Sequence, residues 1–305
     1  MNVMKKLLSL AVFFTALFCS PLRAQEPVQY SVDLTQFSSV DLFGPFDVTM
    51  VKGQQYRVLI SVMEPYREYV DCYVNAGVLS LKLDERIVPM EVKRQFRAKG
   101  AVEPVFSAVI YAPEELHTVS MSGKIVLHDT DDVFDKSSVS FSLDGQVQVK
   151  SVSLNTEVFK LDMKGKSVAD FTLECDESLI DVAQSAQLAI NETARNSYYK
   201  VQGSSKLRIT NSSKSFCLIA KSNCAVNISG KGDRSLFDLG GTCEVDASRF
   251  DLSEADVRMS SVCKLYVAAA DRLKLDLNSG STLSFAGDPV IEIESIRSAT
   301  VSRMD

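Results

Sequence analysis

The chain has no tryptophan, only two histidines and no long apolar run beyond its first residues. Each absence narrows the range of functions. Without tryptophan, the ring on which carbohydrate-binding faces often rely is missing. His117 and His128 sit near the edges of strand-like stretches, and neither has the sequence context of a catalytic triad or a metal site. Seven cysteines are present without a C-x-x-C spacing, so neither a zinc site nor a thioredoxin-like motif is indicated. No segment after the N-terminus is long and apolar enough to cross a membrane as a helix. Acidic residues outnumber basic ones 39 to 33. That balance argues against nucleic acid or an anionic membrane as a general partner.

What is present begins with a leader. Lys5 and Lys6 precede an apolar stretch from Leu7 to Phe18, which is too short to span a bilayer, and Leu22-Arg23-Ala24 resembles a cleavage site. Residues 1–24 therefore read as a signal peptide. Cys19 raises the alternative of a lipoprotein, but bulky Phe18 before it favours simple secretion. Losing residues 1–24 removes Lys5, Lys6 and Arg23 and no acid, so the net charge moves from −6 to about −9. The expected location is outside the cytoplasm: periplasm, outer surface or medium.

From residue 113 to residue 305 one phrase recurs about every 18–22 residues. Its first apolar position is Val119, Phe141, Leu161, Ile180, Tyr199, Leu218, Phe237, Val257, Leu275 and Ile293. Two residues later come Met121, Leu143, Met163, Val182, Val201, Ala220, Leu239, Met259, Leu277 and Ser295. Period-two alternation means strands with one buried face. Two residues further lies a corner: Gly123, Gly145, Gly165, Gln184, Gly203, Ser222, Gly241, Ser261, Ser279 and Arg297. Glycine and serine dominate it because a tight corner needs positive φ. A third column of mostly small residues follows, Ile125 to Ala299, and then a uniform aliphatic one, Leu127 to Val301.

No single row can bury its apolar side alone. Rows stacked about 4.8 Å apart would share one interior. The expectation is an all-β, parallel β-helix (β-solenoid) of about ten coils. Residues 25–112 read as strands in a different pattern, with a short helical turn within EPYREYVDCYV and a hairpin in NAGVLSLKL. They are expected to form a β-rich cap, since an uncovered first coil would pair with other chains.

Cys224, Cys243 and Cys263 fall in one column, which invites a metal or redox reading. They share it with Ala186, Ser205, Ser281 and Ala299, so small volume beside the corner explains them as buried free thiols. Cys72, Cys175 and Cys217 show no readable pairing.

Two charged groups are candidate binding residues. Lys93, Arg94, Arg97 and Lys99 cluster in a long polar stretch of an acidic protein, either as a loop for an acidic partner or as a solvated insertion. On the outer face, one residue after the first apolar column, Asp238, Arg258 and Asp276 would stack as acid, base, acid. A polysaccharide lyase would want such a face. A ladder that relieves like-charge repulsion between strands explains it more simply. No catalytic residue, metal or cofactor is assigned.

The run VRMSSVCKLYVAAADRLKLDLNSGSTLSFAGDPVIEI resembles the C-terminal part of the secreted bacterial family described as putative auto-transporter adhesin, head GIN domain. Repeated Gly-Ser-Gly turns survive here as Gly203-Ser204, Ser222-Asn223, Ser260-Ser261 and Ser279-Gly280, and a G-x-P step as Gly287-Asp288-Pro289. FSSVDLFGPFDVTMVKGQQYRVLISV is similar to the family's opening strands. The resemblance runs from about Phe37 to the end. It implies a right-handed β-helix shaped like the pectin lyases but without their catalytic residues, an adhesive role, and an origin in a Bacteroidetes-like bacterium. The functional expectation is a non-enzymatic surface for a glycan or protein ligand. A periplasmic scaffold or ligand-binding module is the alternative, and a carbohydrate-active enzyme a remoter one.

Overall fold

A computed structural model of the chain describes residues 27–97, 103–130 and 133–304. The expected signal peptide, Cys19 and Lys99 lie outside the described residues. Among those described, no helix is long and apolar enough to cross a membrane.

The chain is a β-solenoid. The N-terminal strands are β1 (Pro27–Asp33), β2 (Ser39–Gly44), β3 (Asp47–Lys52), β4 (Arg57–Met63), β5 (Val70–Asn75), β6 (Val78–Leu83) and β7 (Phe106–Ala112). The stack continues through β8 (Thr118–Gly123), β9 (Val126–Thr130), β10 (Ser138–Gly145), β11 (Gln148–Met163), β12 (Val168–Val182), β13 (Gln187–Val201) and β14 (Lys206–Ser222). It ends with β15 (Ala225–Gly241), β16 (Glu244–Met259), β17 (Lys264–Asn278), β18 (Thr282–Ala286), β19 (Val290–Arg297) and β20 (Thr300–Arg303). One short helix, α1 (Met90–Gln95), interrupts the polar stretch.

The predicted register is the observed one from Val119 as far as Ile293. Phe141 pairs with Val119 and Leu161, and the same column passes through Ile180, Tyr199, Leu218, Phe237, Val257 and Leu275 to Ile293. Column members from Val119 to Leu275 are buried, as are Met121 to Leu277 one step on. Burying a large apolar side chain stabilises by about 1.5–3 kcal/mol, and the repeat does so at every row from Val119 to Leu275. Rings deepen the contact: Phe216 lies 5.4 Å from Tyr199, 6.1 Å from Phe237 and 5.1 Å from Phe250.

The corner column adopts positive φ from Gly123 to Ser279, including the non-glycine members Gln184, Ser222, Ser261 and Ser279. Stacking explains why glycine prevails where it does. A Cβ on Gly165 would sit 2.6 Å from the carbonyl oxygen of Gly145 in the row before. In the last row the corner falls on Ser298 rather than Arg297. A bulge after Ile293 causes the slip: Asp276 pairs with Ser295 and Leu277 with Ile296. The extra residue places apolar Ile296, not Ser295, on the inward column. Glu294, the residue the bulge leaves without a register partner, forms an ion pair with Lys274 at 3.0 Å.

The segment before residue 113 shares the stack's register. Val40, Leu42 and Gly44 pair with Val119, Met121 and Gly123. On its other side β2 pairs in parallel with β6, and β3 with β7. Rows therefore stack as β6–β7, β2–β3, β8–β9, out of chain order. Antiparallel strands close the end: β5 on β6, β4 on β7, and β1 on β4. The expected helical turn is a 3₁₀ turn, Glu64–Tyr69, and it buries Tyr66. That ring packs against Phe106 at 5.0 Å and Phe96 at 5.4 Å, plugging the first coil.

Candidate functional site

Two polar features stand out: an outer groove and a carboxylate buried in the core.

The first sheet of each coil turns two columns outward, the residues before and after its first apolar position. Across β10 to β13 these columns bring together Ser140, Lys160, Leu179 and Tyr198, then Ser142, Asp162, Asp181 and Lys200. They line a groove of about 420 Å³. Leu179 and the 36% exposed Tyr198 form its apolar floor. Lys200 reaches back one row to Asp181 at 3.0 Å, and this hydrogen bond raises its pKa. Asp162 pairs with Lys164 at 3.1 Å. An apolar ring rimmed by hydrogen-bonding groups on rigid strands can hold a ligand with one apolar face and polar edges. Sequence reading missed this groove by following only the column that contains Asp162 and Asp181. The residues preceding each first apolar position carried the signal, with Leu179 and Tyr198 in adjacent rows.

The expected acid–base–acid residues are neighbours: Asp238 pairs in register with Arg258, and Arg258 with Asp276. Asp238 is engaged by Lys221 at 2.6 Å, and Asp276 accepts from the Asn278 amide at 3.1 Å. Among the described residues no ion pair joins Arg258 to either. Ion pairs that do cross rows, Asp181–Lys200 and Arg272 with Glu254, Asp256 and Glu292, neutralise stacked like charges. Lys93 and Arg94 lie on α1 and Arg97 just after it, beside the cap and away from the groove rows. Nothing on α1 is buried. Among the described residues no group of His, Cys, Asp and Glu could hold a metal ion.

Inside the stack, Glu192 is 1% exposed. Its Oε2 accepts hydrogen bonds from the Tyr199 hydroxyl and, at 2.8 Å, from the Asn211 amide. The same amide nitrogen also lies 2.9 Å from Ser197 Oγ, and Ser213 donates to Asn211 Oδ1 at 2.6 Å. Among the described residues, Oε1 makes no hydrogen bond of ordinary geometry. Burial raises the Glu192 pKa, opposed by the surrounding hydroxyls and amide. Burial and the neighbouring carboxyl push the Tyr199 phenol well above its usual value, so it stays protonated and donates. Sequence pattern does not reveal this site, because Glu192 and Asn211 lie outside the four repeating columns, four residues after Leu188 and Leu207.

All six cysteines that the structure describes are free. Cys243 Sγ donates to the Ala220 carbonyl at 3.8 Å, and the neighbouring Cys224 thiol raises Cys243 to about 11 while its own pKa is lowered. All three column thiols are buried. A charged disulfide reagent is therefore expected to leave Cys224, Cys243 and Cys263 unlabelled in the native protein and to label all three after unfolding. Peptide mass mapping reads this directly.

A stack of coils with a largely apolar interior and a groove on its outer face defines a β-solenoid repeat protein. The chain belongs to the family described as putative auto-transporter adhesin, head GIN domain, whose model matches residues 36–233 and again 178–289. It is similar to a crystal structure described as a putative adhesin from Parabacteroides merdae, at 11% identity over 92% of this chain and 97% of that one, with a TM-score of 0.48. A putative adhesin from Parabacteroides distasonis matches at 12% identity with the same coverages and a TM-score of 0.46. A protein from that species described as a putative lipid binding protein matches at 12% identity, again over 92% and 97%, with a TM-score of 0.40. No curated protein matches the chain.

Proposed function

We propose that the protein is an exported, non-catalytic adhesin that binds a glycan in the groove over β10 to β13. The observation carrying this reading is the exposed Tyr198 ring beside Leu179, rimmed by Lys160, Asp162, Asp181 and Lys200. A pyranose offers an apolar face to such a ring and hydroxyls to such a rim, and aromatic side chains supply much of the contact energy in sites of this kind. The family's description as adhesins supports the same reading. Parallel strands hold the rim residues in fixed register, so little ordering entropy is lost on binding.

Tyr198→Ala is expected to weaken binding of the best glycan from an array by about tenfold or more, with melting unchanged because the ring is exposed. Deleting residues 91–99 is expected to leave that affinity as it was, since the basic segment lies by the cap. Calorimetric titration against the array hit distinguishes the two. Equal affinity of Tyr198→Ala and the parent protein would remove the groove from consideration. Protease shaving of intact cells tests the location: cleavage with a periplasmic control intact is the expected result.

A further inference from the structure

We propose that the last coil is a self-association surface, and that its occupant is the last coil of a second copy of this chain, joined edge to edge across a two-fold axis. The inference is independent of the groove.

The two ends of the stack differ. Antiparallel β5, β4 and β1 close the first. At the other, β19 pairs only with β17, and β20 only with β18, among the described residues. Ile291, Ile293 and Ile296 continue the inward columns of Leu273, Leu275 and Leu277. Those leucines are buried, whereas the isoleucines are 42%, 64% and 38% exposed. Val290 beside them is 68% exposed. An uncovered apolar coil edge with free backbone groups is a template for another strand.

The β19 sequence is complementary to itself when antiparallel. The register that sets Ile293 opposite Ile296 of the second copy also sets Glu292 opposite Arg297. Directly opposed residues share a face in an antiparallel pair. The bulge after Ile293 makes this consistent: it turns both isoleucines inward and leaves Glu292 and Arg297 outward. Each half of the contact then supplies the other's missing coil, and the two-fold operation closes the assembly at a dimer. Glu292 lies 3.5 Å from Arg272 of its own chain, so it already sits in a cationic neighbourhood that the second Arg297 would extend.

Sedimentation and light scattering over a concentration series of the purified protein test the proposal. A reversible dimer is expected. Ile293→Lys and Ile296→Lys, both at exposed positions, should leave the monomer folded and raise the dimer dissociation constant about tenfold or more. Arg297→Glu and Glu292→Arg should each weaken the dimer, and the double variant should recover affinity. A monomer at every concentration overturns the proposal. So does a dimer indifferent to Ile293→Lys, a double variant no tighter than the single ones, or an open-ended filament.

Discussion

Asn211→Ala is expected to destabilise the protein by about 1.5–3 kcal/mol at neutral pH, the usual range for a hydrogen bond to a charged group, and by clearly less at pH 4. Asn211 donates to Glu192 Oε2 within the core, where water cannot replace it. While Glu192 is ionised, losing that donor leaves a buried charge served chiefly by Tyr199. Once it is protonated, the loss is that of a neutral contact. The direction of the pH effect follows from the raised folded pKa. The folded state holds the Glu192 proton more tightly than the unfolded chain does. The resulting stability is therefore complete below the unfolded pKa and is lost as pH rises through the folded value. Glu192→Gln keeps an acceptor for Tyr199 and Asn211 but cannot ionise. Its stability relative to the parent protein should improve as pH rises from 4 to 7. Urea titrations of the three proteins at both pH values measure this, and a parallel pH dependence in Glu192→Gln would exclude Glu192 as the source.

The buried carboxylate also shows what was legible in the sequence. The solenoid's first sheet and corner could be read because each row repeats the same demand: apolar, apolar, small, small, aliphatic. Column membership from Val119 to Leu275 then followed from counting. The part of each row that follows the aliphatic column from Leu127 to Val301 could not be read that way, because its inward positions change chemistry from row to row. Leu173, Glu192, Asn211 and Gly230 are register partners there, and no hydropathy period joins them. The first rows were hidden for another reason. Val40, Leu42 and Gly44 obey the same pattern, but β6–β7 stack outside them despite following them in the chain, so the repeat spacing is broken. The groove is half legible: Asp162, Asp181 and Lys200 share the charged outward column of Asp238, Arg258 and Asp276, while Tyr198 lies on the other outward column. At the last row the count failed by one residue, where placing Ile296 inward outweighed regular pairing.

Phe216→Ala should be the most damaging single truncation, costing roughly 3–5 kcal/mol. The ring is buried and contacts Tyr199, Phe237 and Phe250, so three rows lose packing at once. It also stands beside the Glu192 network, whose Tyr199 donor it helps to hold in place. In a stack where each row touches only its neighbours, such a loss stays local in its first effect. Hydrogen exchange is therefore the informative measurement. Amide protection should fall in β13 to β16, while β2, β3, β6 and β7 beside the cap keep theirs. Uniform loss of protection would mean that the rows unfold as one cooperative unit. The cap would then stabilise the whole stack, and not only the coils nearest to it.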